Sequence, residues 1–154
     1  MKVKDVMSRD PISIDPEAPV GTALDVMRTK RVRHLPVVDE AGALVGIVTD
    51  RDLRHAALAP ALGEFLPARA HRRARLLGET LENLRVRDVM TWAVVTTGPA
   101  AALLSAALVM LESRVGSLPV VDNGRLVGLL TEQDVLKALM GEGELAEFEQ
   151  GYMW

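Results

Sequence analysis

The chain contains no cysteine in its 154 residues. This absence excludes disulfide bonds and thiolate metal sites, and it favours a reducing compartment such as the cytoplasm. The three histidines, His34, His55 and His71, do not have the spacing of metal ligands. No metal site is therefore predicted.

Aromatic residues are scarce at 3% of the chain, so the core must be built from aliphatic side chains and methionine. No run approaches 18 consecutive apolar residues, and the opening Met1-Lys-Val-Lys-Asp5 lacks the apolar core of a signal peptide. We therefore predict a cytoplasmic protein that does not insert into a membrane. The net charge of −3 provides no overall attraction to nucleic acid.

The sequence is organised around a motif that occurs twice. His34-Leu-Pro-Val-Val-Asp39 and Gly46-Ile-Val-Thr-Asp-Arg-Asp52 return as Ser117-Leu-Pro-Val-Val-Asp122 and Gly128-Leu-Leu-Thr-Glu-Gln-Asp134. The residue numbers of equivalent positions differ by 83 before a glycine-bearing turn and by 82 after it, because this turn is one residue shorter in the second copy. Such a long match in register indicates an internal duplication.

Each copy has the pattern strand–helix–strand–strand–helix. In the first copy, Ile12–Ile14 is predicted to be extended, and a helix follows with Val20, Ala23, Leu24, Met27 and Val32 on its apolar face. A hairpin then joins Leu35–Asp39 to Leu44–Val48, and Thr49-Asp50 opens the last helix. The second copy repeats these elements at Val94–Thr96, Ala101–Glu112, Leu118–Asp122, Leu126–Leu130 and Glu132–Met140.

The predicted fold is α/β (α+β), with two β-α-β-β-α repeats packed sheet to sheet about a pseudo-twofold axis. Neither half is large enough to bury both faces of its own sheet, and two similar clefts are expected at the junction. The expected division is repeat 1 at 1–55, a helical insert at 56–85, repeat 2 at 86–140 and an acidic C-terminal tail at 141–154.

The duplicated motif, h-P-V-V-D, a turn and then h-V-G-h-h-T-x-x-D, resembles the cystathionine-β-synthase (CBS) domain, which occurs in pairs as the Bateman module. The openings Asp5-Val-Met7 and Asp88-Val-Met90 are also similar to the start of this family. The resemblance covers nearly all of the chain except the middle insert and the tail.

This resemblance implies a regulatory module rather than an enzyme. Such modules bind AMP, ADP, ATP or S-adenosylmethionine in the clefts between the repeats, with no cofactor required, and they commonly form disk-like homodimers. No effector domain is attached here, so a signal would pass to another protein or to self-assembly.

The candidate binding residues include Asp52 and Asp134, each three residues after a threonine at the start of a helix. A carboxylate there can accept hydrogen bonds from both hydroxyls of a ribose. The alternative is a helix-terminal aspartate stabilised by the helix dipole. Thr49 and Thr131 are expected to cap their helices, and their hydroxyls can also face a phosphate.

By family resemblance, Ser13 and Thr96, with the backbone near Leu35 and Leu118, would line the adenine. Cations distinguish the two copies. Arg33, His34 and Arg51 in the first correspond to Gly116, Ser117 and Gln133 in the second. Either the first group attracts a phosphate, or its members are ordinary surface charges. If they attract phosphate, the two sites should prefer different ligands.

Other functional classes find less support in the sequence. A structural or interaction scaffold with vestigial nucleotide sites is the main alternative. No nucleophile motif or glycine-rich phosphate loop indicates an enzyme. A basic segment in the insert, which no aromatic residue interrupts, is interpreted as a solvated helix face or a dimer contact rather than a nucleic-acid site; it comprises Arg69, His71, Arg72, Arg73 and Arg75.

Overall fold

The duplicated pattern folds into helices and short strands in a computed structural model of the chain, which describes residues 1–62 and 83–140. The basic segment of the insert and the acidic tail lie outside the described residues. Ten elements follow one another along the described residues, after a 3₁₀ turn at Val3–Asp5. They are β1 (Ser8–Arg9), α1 (Val20–Lys30), β2 (His34–Val38), β3 (Leu44–Thr49), α2 (Asp50–Leu62), α3 (Val86–Val89), α4 (Leu103–Ser113), β4 (Ser117–Asp122), β5 (Arg125–Thr131) and α5 (132–140).

The helix that opens each repeat ends in the same way. Arg31 after α1 and Arg114 after α4 both adopt the left-handed conformation, with φ values of 54° and 55°. This conformation ends a helix and turns the chain toward the next strand. The prediction that Val32 continues the helix was wrong, because α1 ends at Lys30.

The two hairpins form the centre of two small sheets. β2 pairs antiparallel with β3, and β4 pairs with β5, which in turn pairs with β1. Before each helix there is a single parallel bridge: Ile14, in the predicted piece Ile12–Ile14, pairs with Val37, and Thr97, one residue after the predicted piece Val94–Thr96, pairs with Val120. The α/β class is thus confirmed, while α2 continues past residue 55 to Leu62.

The chain forms two compact units, and each unit combines one repeat with the segment that leads into the other repeat. One unit contains Met1–Asp10, Val95–Asn123 and the described residues from Val127 onward. The other contains the described residues between Pro11 and Val94, together with Gly124–Leu126.

The lead-in segments, residues 3–8 and 86–91, are held to their units by equivalent contacts. Ser8 of β1 pairs with Leu129 of β5, and at the equivalent place Thr91 bridges Ile47 of β3. The side chain of Val3 is fully buried in the core of the unit that contains the second repeat. Val86 is fully buried in the core of the other unit, with a relative exposure of 0%.

Both cores are aliphatic, as the scarcity of aromatic residues requires. The core of the first-repeat unit is centred on Leu35, Val37, Val48 and Leu53, and that of the second-repeat unit on Leu118, Val120 and Leu130. Met27 and Met110 occupy equivalent core positions on α1 and α4. Among the described residues, no helix has the length and apolar character needed to cross a membrane.

Candidate functional site

The end of β3 and the first turn of α2 form a tight corner between Thr49 and Asp52. Oδ2 of Asp52 accepts the backbone N–H and the hydroxyl of Thr49, each at 2.9 Å. The hydroxyl oxygen of Thr49 accepts the backbone N–H of Asp52 at 3.2 Å. This reciprocal arrangement is a capping box, which satisfies backbone donors at a helix N-terminus.

The second repeat contains the same corner at Thr131 and Asp134. Oδ2 of Asp134 accepts the backbone N–H of Thr131 at 2.8 Å and its hydroxyl at 2.7 Å. The hydroxyl oxygen of Thr131 accepts the backbone N–H of Asp134 at 3.3 Å. The same geometry therefore occurs in both units.

The aspartate of each corner has a second carboxylate oxygen, Oδ1, which the helix cap does not use. Oδ1 of Asp52 and Oδ1 of Asp134 accept no hydrogen bond from any residue in the described parts of the chain. Both side chains are only half-buried, so this oxygen remains available to a ligand. An ionised carboxylate oxygen has room for two donors, which matches a pair of neighbouring hydroxyls.

The predicted cations of the first repeat lie around its corner. His34 is the first residue of β2 and pairs with Thr49 across the hairpin. The carbonyl oxygen of Arg33 accepts the backbone N–H of Asp50 at 3.0 Å, and Arg51 is exposed on the first turn of α2. The fold therefore brings Arg33, His34 and Arg51 to one end of the β2–β3 hairpin.

Asp50 has a role that the sequence analysis missed. Its Oδ2 lies 2.7 Å from the guanidinium of Arg54 and 3.8 Å from Nε of Arg33. Asp50 and Arg54 are four residues apart on one helix, a spacing that places such side chains side by side and could have identified this pair. Asp50 partly neutralises Arg33, whereas Arg51 forms no ion pair with another described residue.

The corner of the second repeat carries a different charge. In the first repeat, Arg33, Arg51 and Arg54 with Asp50 and Asp52 amount to a formal charge of +1. The equivalent positions of the second repeat hold two carboxylates and no cation, a formal charge of −2; they are Gly116, Glu132, Gln133, Asp134 and Leu136. Ser117, the equivalent of His34, is buried with a relative exposure of 5%.

The residues predicted to line an adenine occupy equivalent places in the two units. Ser13 and Thr96 are exposed, each directly before the residue that bridges the first strand of a hairpin. The side chains of Leu35 and Leu118 are fully buried in the two cores. These side chains are therefore out of reach of a ligand, and contact with the backbone at Leu35 and Leu118 stays a prediction.

Comparisons with known proteins agree with the duplication. The model of the CBS domain matches residues 3–59 and again 86–141. A CBS domain-containing protein of Dictyostelium discoideum is 37% identical over 139 residues, which are 90% of each chain. The inosine-5′-monophosphate dehydrogenase of Methanocaldococcus jannaschii is 34% identical over 137 residues, but the match spans only 23% of that protein.

Solved structures of CBS-pair proteins share the fold. CBSX2 in complex with AMP has a TM-score of 0.73 and 30% identity, with 90% of this chain and 96% of that chain covered. The CBS domain pair of protein MJ0100, in complex with 5′-methylthioadenosine and S-adenosyl-L-methionine, has a TM-score of 0.71 and 26% identity, with 92% and 98% covered. The chain described here is thus a tandem pair of CBS domains and belongs to the CBS-domain family.

Proposed function

We propose that this protein is a regulatory module that binds an adenosine-containing ligand at the Thr49–Asp52 and Thr131–Asp134 corners and signals to a partner protein. The observation that supports this proposal best is the duplicated carboxylate. In each corner one oxygen is held by the helix cap, and the other has no hydrogen-bond partner among the described residues.

The role of the carboxylate would be to recognise the ribose. The two hydroxyls of a ribose are adjacent donors, and Oδ1 of Asp52 or Asp134 can accept from them in a charge-assisted interaction. Because the capping box already orients the side chain, little rotational freedom is lost when the ligand binds. The binding of AMP and S-adenosylmethionine by two CBS-pair relatives supports an adenosine ligand.

The charge difference would give the two corners different ligands. The first-repeat corner, with Arg33, Arg51 and nearby His34, suits the phosphate of AMP, ADP or ATP. The second-repeat corner, with Glu132 and Asp134 and no nearby cation at the equivalent positions, suits an adenosyl compound that is neutral or positive, such as S-adenosylmethionine.

The test is thermal unfolding of the chain with AMP, ADP, ATP, S-adenosylmethionine and GTP. A ligand at a hundredfold excess over its Kd stabilises the folded state by about 2.7 kcal/mol, a shift of several degrees. We expect an adenine compound to raise Tm and GTP to raise it less. Asp52→Ala and Asp134→Ala should each remove part of the shift, while Glu112→Ala, at an exposed position of α4 outside both corners, should keep it.

Lack of a shift with every adenine compound would favour the scaffold alternative, in which the duplicated corners serve only as helix caps. Turnover of the bound nucleotide would instead indicate an enzyme. With binding established, the partner would be sought by comparing the proteins retained with and without the ligand. A ligand can change such an association only if it binds the two states with different affinity.

A further inference from the structure

The first-repeat corner contains an anion of its own, the carboxylate of Asp50. Asp50 is the first residue of α2, and its side chain is 30% exposed. Its Oδ2 lies 2.7 Å from the guanidinium of Arg54 and 3.8 Å from Nε of Arg33. This carboxylate therefore lies among the cations that the proposed function assigns to a phosphate.

The backbone fixes the place of Asp50. Its N–H donates a hydrogen bond to the carbonyl oxygen of Arg33 at 3.0 Å, which ties the start of α2 to the residue before β2. The N-terminal turn of a helix also favours a negative charge, because the helix dipole is positive there. The position of the carboxylate beside Arg33 is thus a consequence of the fold and not of two long side chains that happen to meet.

The two arginines are held with unequal strength. Arg54 donates a short hydrogen bond to Oδ2 of Asp50, whereas Nε of Arg33 lies beyond hydrogen-bonding distance of the same oxygen. The side chain of Arg33 is also 71% exposed. Asp50 therefore attracts Arg33 without immobilising it, and an incoming anion can draw the guanidinium away.

The second repeat has no such arrangement. Its equivalent of Asp50 is also acidic, but the positions that correspond to the two arginines carry no charge; the three residues are Glu132, Gly116 and Leu136. A carboxylate that faces the cations of the corner is therefore a feature of the first repeat alone.

A phosphate and a carboxylate compete when both are close to one guanidinium. The phosphate of AMP carries about two negative charges near pH 7, so it is attracted by Arg33 and repelled by Asp50. Adenosine has no phosphate, and its binding involves neither interaction. The charge of Asp50 should therefore affect the phosphate of a ligand and not its nucleoside.

We propose that Asp50 is a specificity-determining residue of the first-repeat corner, because its carboxylate competes with the phosphate of the ligand for Arg33. Asp50 thereby weakens the binding of phosphorylated ligands and narrows the difference in affinity between AMP and adenosine. This inference rests on the proposed function, since it concerns the same site.

Calorimetric titration of the full chain with AMP and with adenosine tests the proposal. Asp134→Ala is introduced throughout, to weaken binding at the second corner. Asp50→Asn then removes the charge and keeps the size of the side chain. We expect the Kd for AMP to fall by about twofold to fivefold and the Kd for adenosine to stay the same. The gain in AMP affinity should shrink as salt is raised.

The matched control is Asp25→Asn, which makes the same change in net charge. Asp25 forms an exposed ion pair of 3.3 Å with Arg28 on α1, so it resembles Asp50 except that its partner is not a cation of the corner. It should leave AMP binding nearly unchanged. Arg33→Gln completes a double-mutant cycle: if Asp50 acts through Arg33, Asp50→Asn should have little effect in the Arg33→Gln chain.

Four results would overturn the inference while leaving the proposed function in place. AMP binding that is unchanged or weaker in Asp50→Asn would show that the carboxylate does not compete. An equal gain for adenosine would mean that the substitution changes the shape of the site. An equal gain in Asp25→Asn would assign the effect to net charge, and a gain that persists in the Arg33→Gln chain would exclude Arg33 as the contested cation. If neither AMP nor adenosine binds the unmodified chain, the proposed function fails, and this inference fails with it.

Discussion

A single carboxylate oxygen of Asp52, Oδ2, accepts both the backbone N–H and the hydroxyl of Thr49, each at 2.9 Å. The two interpretations of this aspartate, helix cap and ribose ligand, are therefore compatible, because each role uses a different oxygen. The cap orients the carboxylate before any ligand arrives, and a preoriented group loses less freedom on binding.

Replacement of the aspartate should affect stability and binding separately. Asp52→Ala and Asp134→Ala remove one half of a capping box, which should lower the free energy of unfolding by about 0.5–2 kcal/mol. Thr49→Val and Thr131→Val should lower stability by a similar amount while leaving the carboxylate in place. Urea unfolding with and without ligand separates the effects: the aspartate variants should lose ligand stabilisation, and the threonine variants should keep more of it. Equal loss in both pairs would argue against direct recognition by the carboxylate.

The charge difference between the corners should appear as a difference in phosphate preference. Arg33→Gln and Arg51→Gln should each weaken AMP binding by about twofold to fivefold, as expected for partly exposed charges, and should leave adenosine binding nearly unchanged. The effect should shrink as salt is raised. Calorimetric titration with AMP and with adenosine measures both. Gln133→Arg, at the position equivalent to Arg51, is the reciprocal variant, and it should strengthen AMP binding at the second corner.

Two glycines lie where a lead-in segment crosses a hairpin. A Cβ added at Gly46 would lie 3.0 Å from the carbonyl oxygen of Thr91 and would overlap Met90, and one at Gly128 would lie 3.1 Å from the carbonyl oxygen of Ser8 and would overlap Met7. Gly46→Ala and Gly128→Ala should therefore each lower stability by about 1–3 kcal/mol, because the segment must move.

Gly21 provides the control for these substitutions. It lies on α1 with no atom within 4 Å of an added Cβ. Gly21→Ala should raise stability by about 0.5–1 kcal/mol, because alanine is the better helix former. Thermal unfolding compares the three variants. A neutral result for Gly46→Ala and Gly128→Ala would mean that the lead-in segments are held loosely.

The segment that leads into the first repeat should be as sensitive to mutation as the one that leads into the second. Val3 and its equivalent Val86 are both fully buried, each with a relative exposure of 0%. Val3→Ala and Val86→Ala should therefore each lower the free energy of unfolding by about 1–3 kcal/mol. Lys4→Ala, at an exposed neighbouring position, should change stability by less than about 0.5 kcal/mol. Chemical denaturation measures the stability of all three variants. A small effect of Val3→Ala beside a large effect of Val86→Ala would contradict the packing of Val3 in its core.

The sequence predicted most of the local structure because its signals were local. The hairpin strands were predicted to within one residue at each end, since short apolar runs are bounded by polar turns that begin at Asp39 and Asp122. The end of α1 was missed because Arg31 takes a left-handed conformation that glycine or asparagine usually signals. The pairing of Asp50 with Arg33 was missed because it joins the first residue of α2 to the residue before β2, which are far apart in the sequence.

Each lead-in segment packs in the unit of the other repeat, and the sequence pattern does not indicate this exchange. Val3-Lys-Asp-Val-Met7 and Val86-Arg-Asp-Val-Met90 are nearly identical, so either segment suits the apolar surface of either repeat. Periodicity predicts which face of a segment is buried, but it carries no information about which repeat buries it. The same limit applies to the candidate site, where the sequence identified the carboxylates but not which oxygen the helix cap uses.

The exchanged segments also determine the order in which a newly synthesised chain can complete its sheets. Thr91 emerges after its partner Ile47, so that bridge can form at once. Ser8 must wait for Leu129, which is 121 residues later in the chain. At a synthesis rate of about 5–20 residues per second, this delay is roughly 6–24 s. The bridge between Ser8 and Leu129 is thus completed well after the bridge between Ile47 and Thr91.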